Sequence, residues 1–112
     1  MATKSTEGQL VKAIVEYLEF NGHRAVRVNS GATVLEYKGR RRAIRMAPAG
    51  TSDILACLKP TGKFMAVEAK RGKNKATEAQ SEFLRAIERI GGIAVVAYSV
   101  DDVIRAIEEG GR

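Results

Sequence analysis

The 112-residue chain has no tryptophan, one histidine, one cysteine and two prolines. A single cysteine allows no intrachain disulfide framework, which fits a reducing compartment. Cys57 sits inside the apolar run Ile54-Leu55-Ala56-Cys57-Leu58. It reads there as a small core hydrophobe rather than a nucleophile. His23 has no cysteine or second histidine near it, so the usual zinc ligand sets are not supported. With only three tyrosines and three phenylalanines, no basic-aromatic stacking platform is visible. No apolar run is long enough to cross a membrane, and Met1-Ala2-Thr3-Lys4-Ser5 lacks an apolar signal core. There is no internal repeat and no low-complexity segment. The expectation is one soluble, intracellular domain over residues 1–112.

What the chain does have is positive charge. Nineteen basic residues face thirteen acidic ones, for a net charge of +6 and a pI near 9.8. On a small domain that is a footprint for a polyanion, with nucleic acid the first candidate. A basic surface that binds nothing is the plainer alternative.

Helical spacing of Leu10, Ile14, Tyr17 and Leu18 predicts a first helix from about Thr6 to Phe20, capped by Ser5 or Thr6. Glu7 falls on that apolar stripe, three and seven residues before Leu10 and Ile14. It is either a first-turn acid favouring the helix dipole or a functional group. His23–Asn29 reads as a short strand interleaving Arg24 and Arg27 with apolar residues. A hairpin or extended arm follows, turning at Lys38-Gly39-Arg40. It carries Lys38, Arg40, Arg41, Arg42 and Arg45 within eight positions. Such a run is a solvated loop or a grip on the phosphate backbone; its place just before the acidic pair described next favours the grip. A second helix is expected from about Glu78 to Ile90, with Phe83, Leu84, Ile87 and Ile90 buried. Thr77 and Gln80 fit a capping box, and Gln80 also extends the buried stripe. Ile93–Tyr98 is a continuous apolar run suited to an inner strand covered on both faces. A last helix runs through Val103, Ile104 and Ile107 to Gly110-Gly111. The order is α-β-β-β-α-β-α with one extra hairpin, a mixed sheet flanked by helices.

The richest stretch is Gly50-Thr51-Ser52-Asp53 … Glu68-Ala69-Lys70. Two apolar runs flank the turn Lys59-Pro60-Thr61-Gly62. With the turn centred between Pro60 and Thr61, Asp53 sits directly opposite Glu68, where Cβ atoms are about 5 Å apart. Facing carboxylates repel unless a hard cation lies between them. Lys70 shares the face of Glu68 by period-two alternation. Two carboxylates and an ammonium group suit metal-assisted phosphodiester hydrolysis. Asp53, Glu68 and the Ala69 carbonyl would hold Mg²⁺ or Mn²⁺, and Lys70 would orient or deprotonate a water. Gly50 permits close approach of the backbone to a ligand, or serves only a tight turn into the strand. Arg71-Gly72-Lys73-Asn74-Lys75 forms a second basic loop behind Lys70. The plain alternative for the whole stretch is a salt-bridged strand end.

Glu7, Gly50-x-Ser52-Asp53, Glu68-x-Lys70 and helical Gln80, in this order, resemble the PD-(D/E)xK nuclease superfamily. More narrowly the chain resembles the stand-alone, phage-type VRR-NUC nucleases, in which Ser rather than Pro precedes the Asp. The resemblance covers nearly the whole chain. It implies a restriction-endonuclease-like α-β-β-β-α-β core in which Asp53 and Glu68 bind metal, Lys70 is catalytic, Gln80 supports the site and Glu7 joins it directly or through water. It also implies a homodimer acting on structured DNA, as Holliday-junction resolvases do, in the cytoplasm of a bacterium or a phage-infected host. Contacts to DNA are expected from Arg24, Arg27, the arm's basic residues, Ser52, Arg71, Lys73 and Lys75. The alternatives are a flap, nicking or non-selective nuclease, and a non-catalytic DNA-binding module of the same fold.

Overall fold

Thr6 accepts a hydrogen bond from the Gln9 amide, and the Gln9 side chain accepts one from the Thr6 amide. This capping box satisfies two otherwise orphaned donors and starts α1, Glu7–Phe20. The computed structural model describes residues 6–30 and 32–110; for residues 32–35, 44 and 45 it describes the backbone alone. Ser5 and Gly111, to which the sequence assigned a cap and a helix end, lie outside the described residues, as does Gly31.

A four-stranded sheet has the order β1-β4-β5-β6, from Arg24–Arg27, Ile54–Leu58, Lys63–Ala69 and Ile93–Ala97. β1, β4 and β5 run antiparallel, and β6 is parallel to β5. In the β4–β5 hairpin Ile54 faces Val67 and Leu58 faces Lys63, so the sequence-derived register is the observed one. One sheet face carries Ile54, Ala56, Leu58, Met65 and Val67 into a core with Leu10, Ile14 and Leu18 of α1 and Val103 of α3, Val100–Gly110. α2, Glu78–Arg89, packs over β5 and β6 on the other face, beside Phe64.

β2, Ala32–Tyr37, and β3, Arg40–Arg45, form a separate two-stranded sheet. Lys38 and Gly39 connect them with φ of 51° and 75°, the paired positive values of a type I′ turn. At the hairpin's root the Ala47 amide donates to the Asn29 carbonyl at 3.1 Å.

Three expectations need correction. Cys57 is exposed, because alternation along β4 turns Leu55 and Cys57 away from the α1–α3 core. Its thiol donates to the Gly62 carbonyl at 3.5 Å. Ile90 is 83% exposed, because α2 ends at Arg89 and Ile90 is its C-cap. The apolar strand β6 is an edge strand, not an inner one. Its composition follows from cover by α2 on one face and α3 on the other, which an edge strand receives as readily as a central one.

Candidate active site

The hairpin register brings the acidic pair together at the end of β4 and β5. Asp53 immediately precedes β4, and its Oδ2 accepts the Ala69 amide at 2.9 Å. Its own carbonyl accepts from the Val28 amide at 2.7 Å, which ties the position to the end of β1. Glu68 is 2% exposed, and its Oε1 has no hydrogen-bond partner among the described residues. Its Oε2 lies 3.7 Å from the Lys70 Nζ. Burial pushes the Glu68 carboxyl up from 4.5 to about 8; the Asp53 carboxyl beside it adds to the rise, and Lys70 opposes it.

The loop feeding Asp53 is held tightly. Gly50 has φ of +92°, and a Cβ there would meet the Ala79 carbonyl oxygen at 2.8 Å. Glycine is therefore required both for the backbone conformation and for close approach to the start of α2. Thr51 donates from its amide and its hydroxyl to the Pro48 carbonyl. Ser52 is 1% exposed and its hydroxyl donates to the Ile54 carbonyl at 3.2 Å. The expectation that Ser52 contacts DNA is corrected on this point: its hydroxyl shapes the turn into β4 from inside the protein.

Gln80 uses its side-chain oxygen to accept the Thr77 amide at 2.8 Å, completing the α2 capping box. Glu7, half-buried, accepts from the Asn74 Nδ2 at 3.0 Å. No group of three His, Cys, Asp or Glu residues suited to a metal occurs among the described residues. Glu7 is thus joined to the loop behind Lys70 and does not complete a three-carboxylate cluster with Asp53 and Glu68.

The cationic residues divide into three places. Arg24 is exposed and pairs with Glu19 at 3.4 Å, while Arg27 leans over Gly8 at the start of α1. Lys38, Arg40, Arg41 and Arg42 are exposed on the hairpin, and the side chain of Arg45 lies outside the described residues. Lys73 and Lys75 are exposed in the loop after β5, where half-buried Arg71 donates from Nη1 to the Tyr98 carbonyl at 3.2 Å. Two residues of this region carried no sequence signal. Tyr98 reads as the end of an apolar run, yet its hydroxyl donates to the Asn74 carbonyl at 2.7 Å.

A buried glutamate facing a part-buried aspartate, with an adjacent lysine, stands in a mixed α/β fold for which one comparison gives the family. The sequence profile of the VRR-NUC domain matches residues 5–101. The chain belongs to the VRR-NUC domain family. A solved structure described as a VRR_NUC domain protein has the same fold, with a TM-score of 0.58 over 96% of this chain and 89% of that one, at 20% identity. No curated protein matches the sequence. In this VRR-NUC domain the acidic pair stands at one end of β5. An apolar hollow of about 410 Å³ lined by Phe64, Ile87 and Ile90 stands at the other, away from the chemistry.

The donor set fits a hard divalent cation. Mg²⁺ is commonly held by one or two carboxylates, with waters and phosphate oxygens completing its shell. Asp53 and Glu68 supply two carboxylates, and the unpaired buried Oε1 of Glu68 is an acceptor that a cation would satisfy.

Proposed function

We propose that this VRR-NUC domain is a Mg²⁺- or Mn²⁺-dependent DNA endonuclease, selective for branched DNA and active as a homodimer. The observation that carries the reading is buried Glu68 facing part-buried Asp53, with Lys70 beside it. Leaving Glu68 with an unpaired oxygen is costly in a fold that gains nothing else from it. A non-catalytic DNA-binding module has no use for facing carboxylates beside a polyanion.

Asp53 and Glu68 would hold the cation with the Ala69 carbonyl, and the bound ion would offset phosphate charge and acidify a water. Lys70 places its ammonium next to the carboxylates, where it orients that water or stabilises charge developing on the phosphate. The Ala69 amide fixes the Asp53 carboxylate through Oδ2. Gln80 and Glu7 act from the edge of the site, through the start of α2 and through Asn74. Lys38, Arg40, Arg41 and Arg42 of the hairpin, with Lys73 and Lys75, grip backbone phosphates on either side.

The test is incubation with labelled duplex, flap and four-way-junction DNA in Mg²⁺ or Mn²⁺, with the oligomeric state measured in parallel. Paired symmetric nicks across the junction by a dimer support the reading. Equal cutting of all substrates would replace the junction preference with a flap, nicking or non-selective activity. Tight binding with no cutting in any metal would leave a DNA-binding module.

A further inference from the structure

The loop between β5 and α2 has no helix or strand from Lys70 to Ala76, yet it carries exposed Lys73 and Lys75 five and seven residues after Glu68. Such a loop presents charge at a fixed place only if something outside it holds it. One turn is internal, with the Asn74 amide donating to the Arg71 carbonyl at 3.1 Å. Further ties go to two other elements. The Tyr98 hydroxyl donates to the Asn74 carbonyl at 2.7 Å, and the Tyr98 carbonyl accepts from Arg71 at 3.2 Å. The Asn74 side chain donates to Glu7 of α1 at 3.0 Å.

Tyr98 is itself anchored. Its amide donates to the Asp102 Oδ2 at 2.8 Å in the first turn of α3, and Asp102 also pairs with Arg105. Just upstream, the Lys70 amide donates to the Ala97 carbonyl at 2.9 Å, extending the β5–β6 ladder to the catalytic lysine. The β6–α3 turn is therefore a rigid post, and the basic loop hangs on it at Arg71 and Asn74. Asn74 is the junction: its backbone meets Tyr98 and its side chain meets Glu7.

We propose that Tyr98 and Asn74 are positioning residues that hold the 71–77 loop so that Lys73 and Lys75 meet a nucleic-acid phosphate beside the carboxylate pair. This rests on the nuclease reading for its substrate, but its test is made on binding. The hydroxyl acts through the loop; it does not touch the substrate.

The experiment is a double-mutant cycle read by anisotropy of a labelled DNA duplex in EDTA, at several salt concentrations. Tyr98→Phe removes the hydroxyl and keeps the ring. It is expected to weaken binding roughly threefold to tenfold, the range of one lost hydrogen bond. It should also flatten the salt dependence, since fewer phosphates are engaged. In the Lys73→Ala/Lys75→Ala background the same change is expected to have less than about a twofold effect. Asn74→Ala should behave as Tyr98→Phe does. Unchanged binding in Tyr98→Phe, or equal weakening in both backgrounds, overturns the proposal. Metal-dependent cutting by the wild type is scored separately. A wild type that binds but does not cut removes the nuclease reading and leaves the cycle intact. A wild type that cuts, with Tyr98→Phe binding normally, removes this inference alone.

Discussion

Glu68 carries the largest electrostatic cost at the residue scale. Its carboxyl is raised to about 8 from 4.5, so the folded protein binds a proton that the unfolded chain gives up at lower pH. Stability of the metal-free protein is therefore full below about pH 4.5 as far as this group is concerned, and falls as pH rises toward 8. At about 1.4 kcal/mol per unit, the fall is on the order of 3–5 kcal/mol. Thermal melts in EDTA across this range should show it, and Glu68→Gln should flatten the curve. A wild-type curve flat between pH 5 and 8 would contradict the burial argument. Adding Mg²⁺ or Mn²⁺ near pH 7 should raise the wild-type melting temperature with release of a proton, and should do neither in Asp53→Asn. Gly50 supplies a second test. Gly50→Ala forces a side chain into a positive-φ position against the Ala79 backbone, and should destabilise by about 1–3 kcal/mol in denaturant titrations.

Asp53, Glu68 and Lys70 were legible in the sequence because a hairpin's register follows from its turn, and period two does the rest. Ser52 was not: a hydroxyl beside an aspartate looks the same in sequence whether it faces solvent or its own backbone. Tyr98 and Asn74 were missed because their contact joins residues 24 positions apart through one hydroxyl, which leaves no periodicity.

At the scale of elements, both long helices start on a capping box, and Gln80 completes the one that opens α2, whose first turn packs against Gly50. Helix bounds followed from apolar spacing and from the caps at Thr6 and Thr77. Sheet order did not, since cover by two helices makes an edge strand as apolar as a central one; β6 is the case in point. The β2–β3 hairpin makes its own prediction. Its cations at 38 and 40–42 are exposed, so Arg40→Ala/Arg41→Ala/Arg42→Ala should leave the melting temperature within about 2 °C. The same variant should weaken DNA binding and lower the salt slope by about 2–3. An unchanged slope would make the hairpin a solvated ribbon.

For the molecule as a whole, charge and shape point the same way. The radius of gyration is 15.3 Å, against about 13 Å for a compact domain of this length, as a ribbon outside the main sheet gives. The net charge of +6 is suited to a polyanion. Among the described residues no helix is long and apolar enough to cross a membrane.

The central question for this protein is whether the Asp53–Glu68–Lys70 constellation cuts DNA. The decisive measurement is single-turnover cleavage of a labelled four-way junction in Mn²⁺ by wild type, Asp53→Ala and Lys70→Ala, with DNA affinity measured alongside. Cutting by the wild type should fall at least about a hundredfold in both variants, with affinity changed by less than about threefold. Cutting that survives in both variants, or a wild type that binds the junction and cuts in no metal, would contradict it.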